Sequence, residues 1–130
     1  PIFARRLRDL FIREPGHRIR DIELLKVGRH FGLAGTVKAV VGRNARENAE
    51  IERLAEPSDA LMRTAHFPGP TVLVPGGGEE STRLTAAGLC VRYSDAPRGC
   101  DAAVRCLLNG GTVSLSVPAM TPEEAERLLI

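Results

Sequence analysis

Residues 36–56, "TVKAVVGRNARENAEIERLAE", read as a strand, a turn and a helix in one continuous stretch. The β-branched and apolar residues up to Val41 suit a pleated, half-buried surface, and Gly42 ends the run. Asn44 then stands where a helix N-cap is expected. Its short side chain can accept a hydrogen bond from the backbone three residues on, and Glu47 at that position completes a capping-box pattern. Ile51, Leu54 and Ala55 supply a buried stripe at helical spacing, and Pro57 stops the helix.

Working toward the N-terminus, residues 21–33 fit a helix or a strand. Gly28 and Gly32 disfavour a continuous helix, and residues 27–31 alternate as a strand would. Ala34-Gly35 makes a short hairpin connection into the strand at 36–41. Phe3, Leu7, Leu10 and Phe11 share one helical face, which predicts an amphipathic helix broken at Pro15-Gly16. Toward the C-terminus, a strand is expected at 60–64, a rigid turn at 66–70 and a short buried strand at 71–74. A glycine loop follows, then a helix from about 81 to 91 or 93. Residues 102–108 are apolar enough for a strand or a short helix, and "NGG" at 109–111 is a hairpin turn. Beyond it Val113, Leu115 and Val117 alternate with Ser114 and Ser116. Thr121, Pro122 and Glu124 open a last helix that turns Ala125, Leu128 and Leu129 inward. Helices and strands mix without a βαβ rhythm. The expected class is α+β: a single domain over 1–130, with a mixed or antiparallel sheet, three to four helices, and a helical lead-in at 1–20.

The chain has 130 residues, 43% apolar and 26% charged, which fits one globular core. Its first residue is Pro1, not Met, and we expect the C-terminal part of a longer enzyme. No apolar run is long enough to cross a bilayer. Three cysteines (Cys90, Cys100 and Cys106) in no ligand spacing argue against a disulfide framework or a zinc site, and a reducing cytoplasm is the expected location. The net charge of +2 is unevenly spread. Residues 1–46 hold eleven Lys or Arg against four acids, and the remainder is acidic. That asymmetry suits a polyanion, although a solvated surface explains it as plainly.

Catalytic patterns are thin. "VLVPGGGEEST" at 72–82 has the outline of a phosphate loop, but it lacks the Walker lysine and the third glycine of a dinucleotide fingerprint. Glu79 and Glu80 stand where a phosphate would sit, and they suit the positive end of a helix dipole instead. His17, His30 and His66 are far apart in sequence and none has metal-ligand spacing; His66, before a turn, reads as structural. We expect no catalytic residue, metal or cofactor within these 130 residues.

With no Trp and one Tyr, the sequence lacks the aromatic platform of the commonest RNA-binding sheets. A binder built from it relies on guanidinium groups and helix N-termini. The candidates are Lys26, Arg29 and His30 in "KVGRH", with Arg43, Asn44, Arg46 and Asn48 in "VGRNAREN". For Asn44, capping is a sufficient explanation.

These same segments carry a resemblance. Gly42-Arg43-Asn44, two residues, then Glu47-Asn48 is similar to the G-R-N-x-x-Q-N of the RNA-binding domain of NFACT proteins. Asp59 leading to Pro68-Gly69 resembles their D-x-W-x-H…P-G-S-H segment, with Leu61 in place of Trp and Arg63 in place of His. "AAGLCVRYS" at 86–94 resembles the helix that follows. The whole, over residues 21–95, looks most like the version at the C-terminus of PP-loop tRNA-thiolating enzymes. The resemblance implies a non-catalytic, tRNA-binding accessory domain with Arg29, Arg43, Asn44, Asn48 and Arg63 on or under the RNA surface. It also implies a catalytic domain in the same chain, where ATP would bind. The alternative is a protein-interaction or dimerisation module that docks that catalytic half.

Overall fold

A computed structural model describes residues 2–13 and 18–130. The turn expected at Pro15-Gly16 and the side chain of Phe11 lie outside the described residues. Helix α1 spans Ile2–Arg13 and α2 spans Ile19–Leu24. Then come strands β1 (Arg29–Gly32) and β2 (Lys38–Val41), helix α3 (Ala45–Leu54), and strands β3 (Ala60–Thr64) and β4 (Val72–Val74). Helix α4 covers Glu80–Arg92, β5 Ala102–Leu108, β6 Gly111–Val117 and α5 Pro122–Leu128. The class is α+β. The two readings open at 21–33 are both right in succession, because the helix ends at Leu24 and the strand begins at Arg29.

The six strands form one antiparallel sheet in the order β1-β2-β4-β3-β5-β6. Phe31, Ala39, Val41, Met62, Val72 and Val104 face α4 on one side. Val40 and Leu73 face the other side and pack with Leu24, Ile51 and Leu54 of α2 and α3. Successive residues of β2 thus enter opposite cores, as the two-residue repeat of a strand requires. Helix α4 is buried from Ala86 to Val91. Its small residues let it approach closely: Gly88 accepts from the Met120 amide at 3.0 Å as the chain crosses over it.

Arg6 anchors α1. Its guanidinium donates to the carbonyls of Leu25 (3.0 Å) and Gly28 (2.9 Å), closing two orphan acceptors beyond α2. Thr121 caps α5 as expected, accepting from the Glu124 amide at 3.2 Å. Leu129, expected inside, is 47% exposed. Its backbone forms a bridge with Phe31, and Ile130 donates to the His30 carbonyl at 2.9 Å. This extended pairing along β1 turns the Leu129 side chain away from the core.

The glycine loop closes on itself. Gly76, Gly77 and Gly78 all have positive φ (78°, 85° and 61°), a run only glycine adopts without strain. The Gly76 amide donates to Asp59 Oδ1 at 2.9 Å and the Gly77 amide to Val74 O at 3.0 Å. Arg83 donates to the carbonyls of Gly77 and Gly78. These groups are engaged within the fold, and Glu79 and Glu80 open α4 where the dipole favours acids.

Cys90 and Cys106 are buried and Cys100 is exposed. Burial pushes the Cys90 thiol up to about 12 and raises Cys106 as well. A thiol-reactive chromogenic disulfide should therefore label one cysteine in the native protein and all three after denaturation. Rapid native reaction of two or more would contradict this packing.

Candidate nucleic-acid interface

Strand β2 delivers Gly42 and Arg43 to the start of α3, where the Asn44 side chain accepts from the Glu47 amide at 2.9 Å. One turn later, Asn48 Oδ1 accepts from the Thr71 amide at 3.1 Å, and the Gly42 amide donates to Thr71 O at 3.0 Å. These bonds lock the β2–α3 turn to the 66–71 segment. A Cβ on Gly42 would lie 1.9 Å from Asn48 Oδ1, so no other residue fits there without moving Asn48.

The same segment is held from beneath by the end of α4. Asp95 donates its amide to Pro68 O at 2.9 Å, and a Cβ on Gly69 would lie 2.7 Å from Ser94 Cβ. The result is a shallow pocket of about 290 Å³ whose walls are Arg29, Gly42-Arg43-Asn44, Asn48, Gly69-Pro70 and Tyr93. Four segments far apart in sequence meet there.

Charge inside the pocket is arranged in two layers. Beneath it, Glu47 is buried and accepts from the Arg43 amide (3.0 Å), from Arg43 Nε (2.9 Å) and from Arg43 Nη2 (2.6 Å). The hydrogen bonds from Arg43 hold the Glu47 carboxyl down to about 2, helped by the Gly28 amide, and they raise the Arg43 guanidinium in turn. Arg6, also buried, feels both charges, and burial is the largest cause of its lowered pKa. At the surface, the Arg29 guanidinium lies over the Tyr93 ring, 4.8 Å from its centroid, and Arg92 approaches the same ring at 5.9 Å. No carboxylate is paired with Arg29 among the described residues. The pocket thus combines an aromatic ring, the Arg29 guanidinium over it and the compensated Arg43, with Arg92 near the same ring beside the pocket, a set able to take a base and a phosphate together.

The residues singled out from sequence divide into three groups. Arg29, Arg43, Asn44 and Asn48 come together at this pocket, with Asn44 and Asn48 acting as the bonds that shape it. Arg46 is exposed on the first turn of α3, and Lys26 is exposed between α2 and β1. Arg63 stands outside the pocket on β3, paired with Glu52, which also accepts from Thr71 Oγ1 at 2.9 Å. It lies directly opposite Arg105 of β5.

His30 is the exception. It is 1% exposed, and its Nε2 lies 2.9 Å from Leu24 O and 3.0 Å from Val27 O. With two carbonyl acceptors, that nitrogen carries the proton. Desolvation, with Lys38 and Arg6 nearby, holds the ring down to about 3, so it is neutral and out of reach of RNA. Period-two alternation from Arg29 explains the inversion, because neighbouring strand residues face opposite sides. Tyr93 and Arg92 were missed as site residues; the signal available was the Tyr-Ser end of the helix at 86–94.

No helix among the described residues is long and apolar enough to cross a membrane, and they contain no cluster of potential metal ligands. No curated protein matches the sequence. Among solved structures, the fold is similar to the C-terminal part of the fibronectin/fibrinogen-binding protein from Streptococcus suis. The TM-score is 0.70 at 17% identity, covering 95% of this chain and 59% of that one. At that identity the likeness concerns the fold. The family described as the NFACT protein RNA binding domain matches residues 28–129, from the Gly28 turn through α5. The chain therefore belongs to the NFACT RNA-binding domain family.

Proposed function

We propose that this chain binds RNA at the Arg29–Tyr93 pocket, with a nucleotide base on the stacked guanidinium and aromatic groups and its phosphate toward Arg43. The observation that carries this reading is the convergence of Arg29, Arg43 and Tyr93 from three separate elements on one depression. The resemblance to the domain of PP-loop tRNA-thiolating enzymes supports tRNA as the RNA. It also supports an ATP-using catalytic domain in the same chain, with the present domain non-catalytic and the protein cytoplasmic. Exposed Ile2, Phe3 and Ile19 on α1 and α2 favour, as a second reading, a face that docks such a catalytic domain.

Fluorescence anisotropy with labelled tRNA, repeated over a salt series, tests the first reading. Arg29→Ala is expected to weaken binding about tenfold and to flatten the salt dependence by about one unit of slope. Tyr93→Leu should weaken binding by a similar factor with the slope unchanged, because stacking carries no counterion release. Equal affinity of wild type and both variants would refute the assignment.

A further inference from the structure

We propose that the free edge of β6 is a self-association site, where a second copy of this chain adds antiparallel across a two-fold axis at Ser114. The two ends of the sheet are treated differently by the fold. At β1, the C-terminal residues cover the outer edge through the Phe31–Leu129 bridge and the Ile130 amide. At β6, no strand follows among the described residues. A bare edge is ordinarily protected by charge, proline or a bulge. Here residues 106–120, "CLLNGGTVSLSVPAM", contain no charged residue in a chain that is 26% charged, and Pro118 comes only after the strand.

The register specifies which groups are free. Asn109 (φ 53°) and Gly110 (φ 79°) form a two-residue turn, and Leu108 pairs with Gly111. The pair flanking such a turn exchanges both hydrogen bonds, so residues 111, 113, 115 and 117 bond to β5. Thr112, Ser114 and Ser116 consequently direct their N–H and C=O groups to the open edge. Their side chains are exposed as well.

That pattern is self-complementary. Antiparallel pairing about Ser114 sets Thr112 against Ser116 of the second copy, and offers about six backbone hydrogen bonds. On the opposite face, Val113 meets Leu115 of the second copy. Val113 is 51% exposed and Leu115 half-buried, although both alternate as core residues would. Pairing would shield both and would bring no like charges together. A second copy is thus an isologous partner whose surface is already present.

Sedimentation equilibrium of the RNA-free chain, over a broad concentration range, reads this directly. A monomer–dimer equilibrium is expected, with Ser114→Ala dimerising like wild type. Ser114→Pro removes an outward N–H and leaves the β5 ladder intact, and should weaken dimerisation by roughly a hundredfold. Should that variant not fold, Ser114→Lys retains the donors, places two like charges on the axis and should weaken it likewise. Amide exchange at Thr112, Ser114 and Ser116 should slow as concentration rises. A monomer at the highest soluble concentration, or a dimer indifferent to all these substitutions, overturns the proposal.

Discussion

Glu47→Ala is expected to destabilise the domain by about 2–3 kcal/mol, because it removes a buried carboxylate that accepts charge-assisted hydrogen bonds from the solvent-exposed Arg43. Glu47 is 1% exposed and accepts three hydrogen bonds from Arg43. Its loss leaves the Arg43 amide without its acceptor and the buried Arg6 without a nearby negative charge to offset Arg43. Urea unfolding at neutral pH measures the effect, and a change below about 1 kcal/mol would contradict the geometry.

The pH dependence adds a second signature. Glu47 is depressed from its ordinary 4.5 to about 2, so its contribution is complete above pH 4.5 and disappears as the pH falls toward 2. His30, depressed from 6.5 to about 3, acts in the same direction: its neutral form suits the fold, and stability declines as the pH drops below 6.5. Each group accounts for about 1.4 kcal/mol per pH unit within its own window. Glu47→Ala should abolish the part between pH 4.5 and 2 and keep the part due to His30. Glu47→Gln separates stability from binding: it keeps acceptor capacity but releases the Arg43 charge. RNA affinity should rise about threefold while stability falls by about 1–3 kcal/mol.

Gly42→Ala should act on fold and site together. The added methyl lies 1.9 Å from Asn48 Oδ1 and 3.2 Å from the Asn48 nitrogen, so the side chain must leave its position. Asn48 then releases the Thr71 amide, and the wall formed by Gly69-Pro70 loses its tie to α3. A loss of about 2–3 kcal/mol is expected from overpacking and one unsatisfied buried donor. tRNA affinity should drop at least about tenfold, because the pocket is held by that tie. Thermal unfolding and anisotropy on the same sample distinguish the two effects; an unchanged affinity in a folded variant would show that this wall does not touch RNA.

Much of the local structure was legible from residues. Asn44 and Thr121 announce their helices because capping is a hydrogen bond spanning three residues. Asn109-Gly110 announces its hairpin because both positions need positive φ. Glu79 and Glu80 likewise announce the start of α4, because the helix dipole favours acids at its first turn. Less was legible where a residue's partner is remote. His30 sits in a basic run yet is buried, and Val113 sits in an apolar alternation yet is exposed. Alternation says that two faces differ, but it cannot say which face a helix will cover.

The sequence by itself therefore determined the class of the fold, its turns and caps, and the segments that make the family. Those depend on dihedral preferences and on bonds across three or four residues. Only the tertiary structure decided the strand order, the burial of His30 and of Glu47, and the meeting of Arg29 with Tyr93, 64 positions away. The physical reason is that desolvation and charge pairing depend on which surfaces come together, and pairing distant strands is what brings them there.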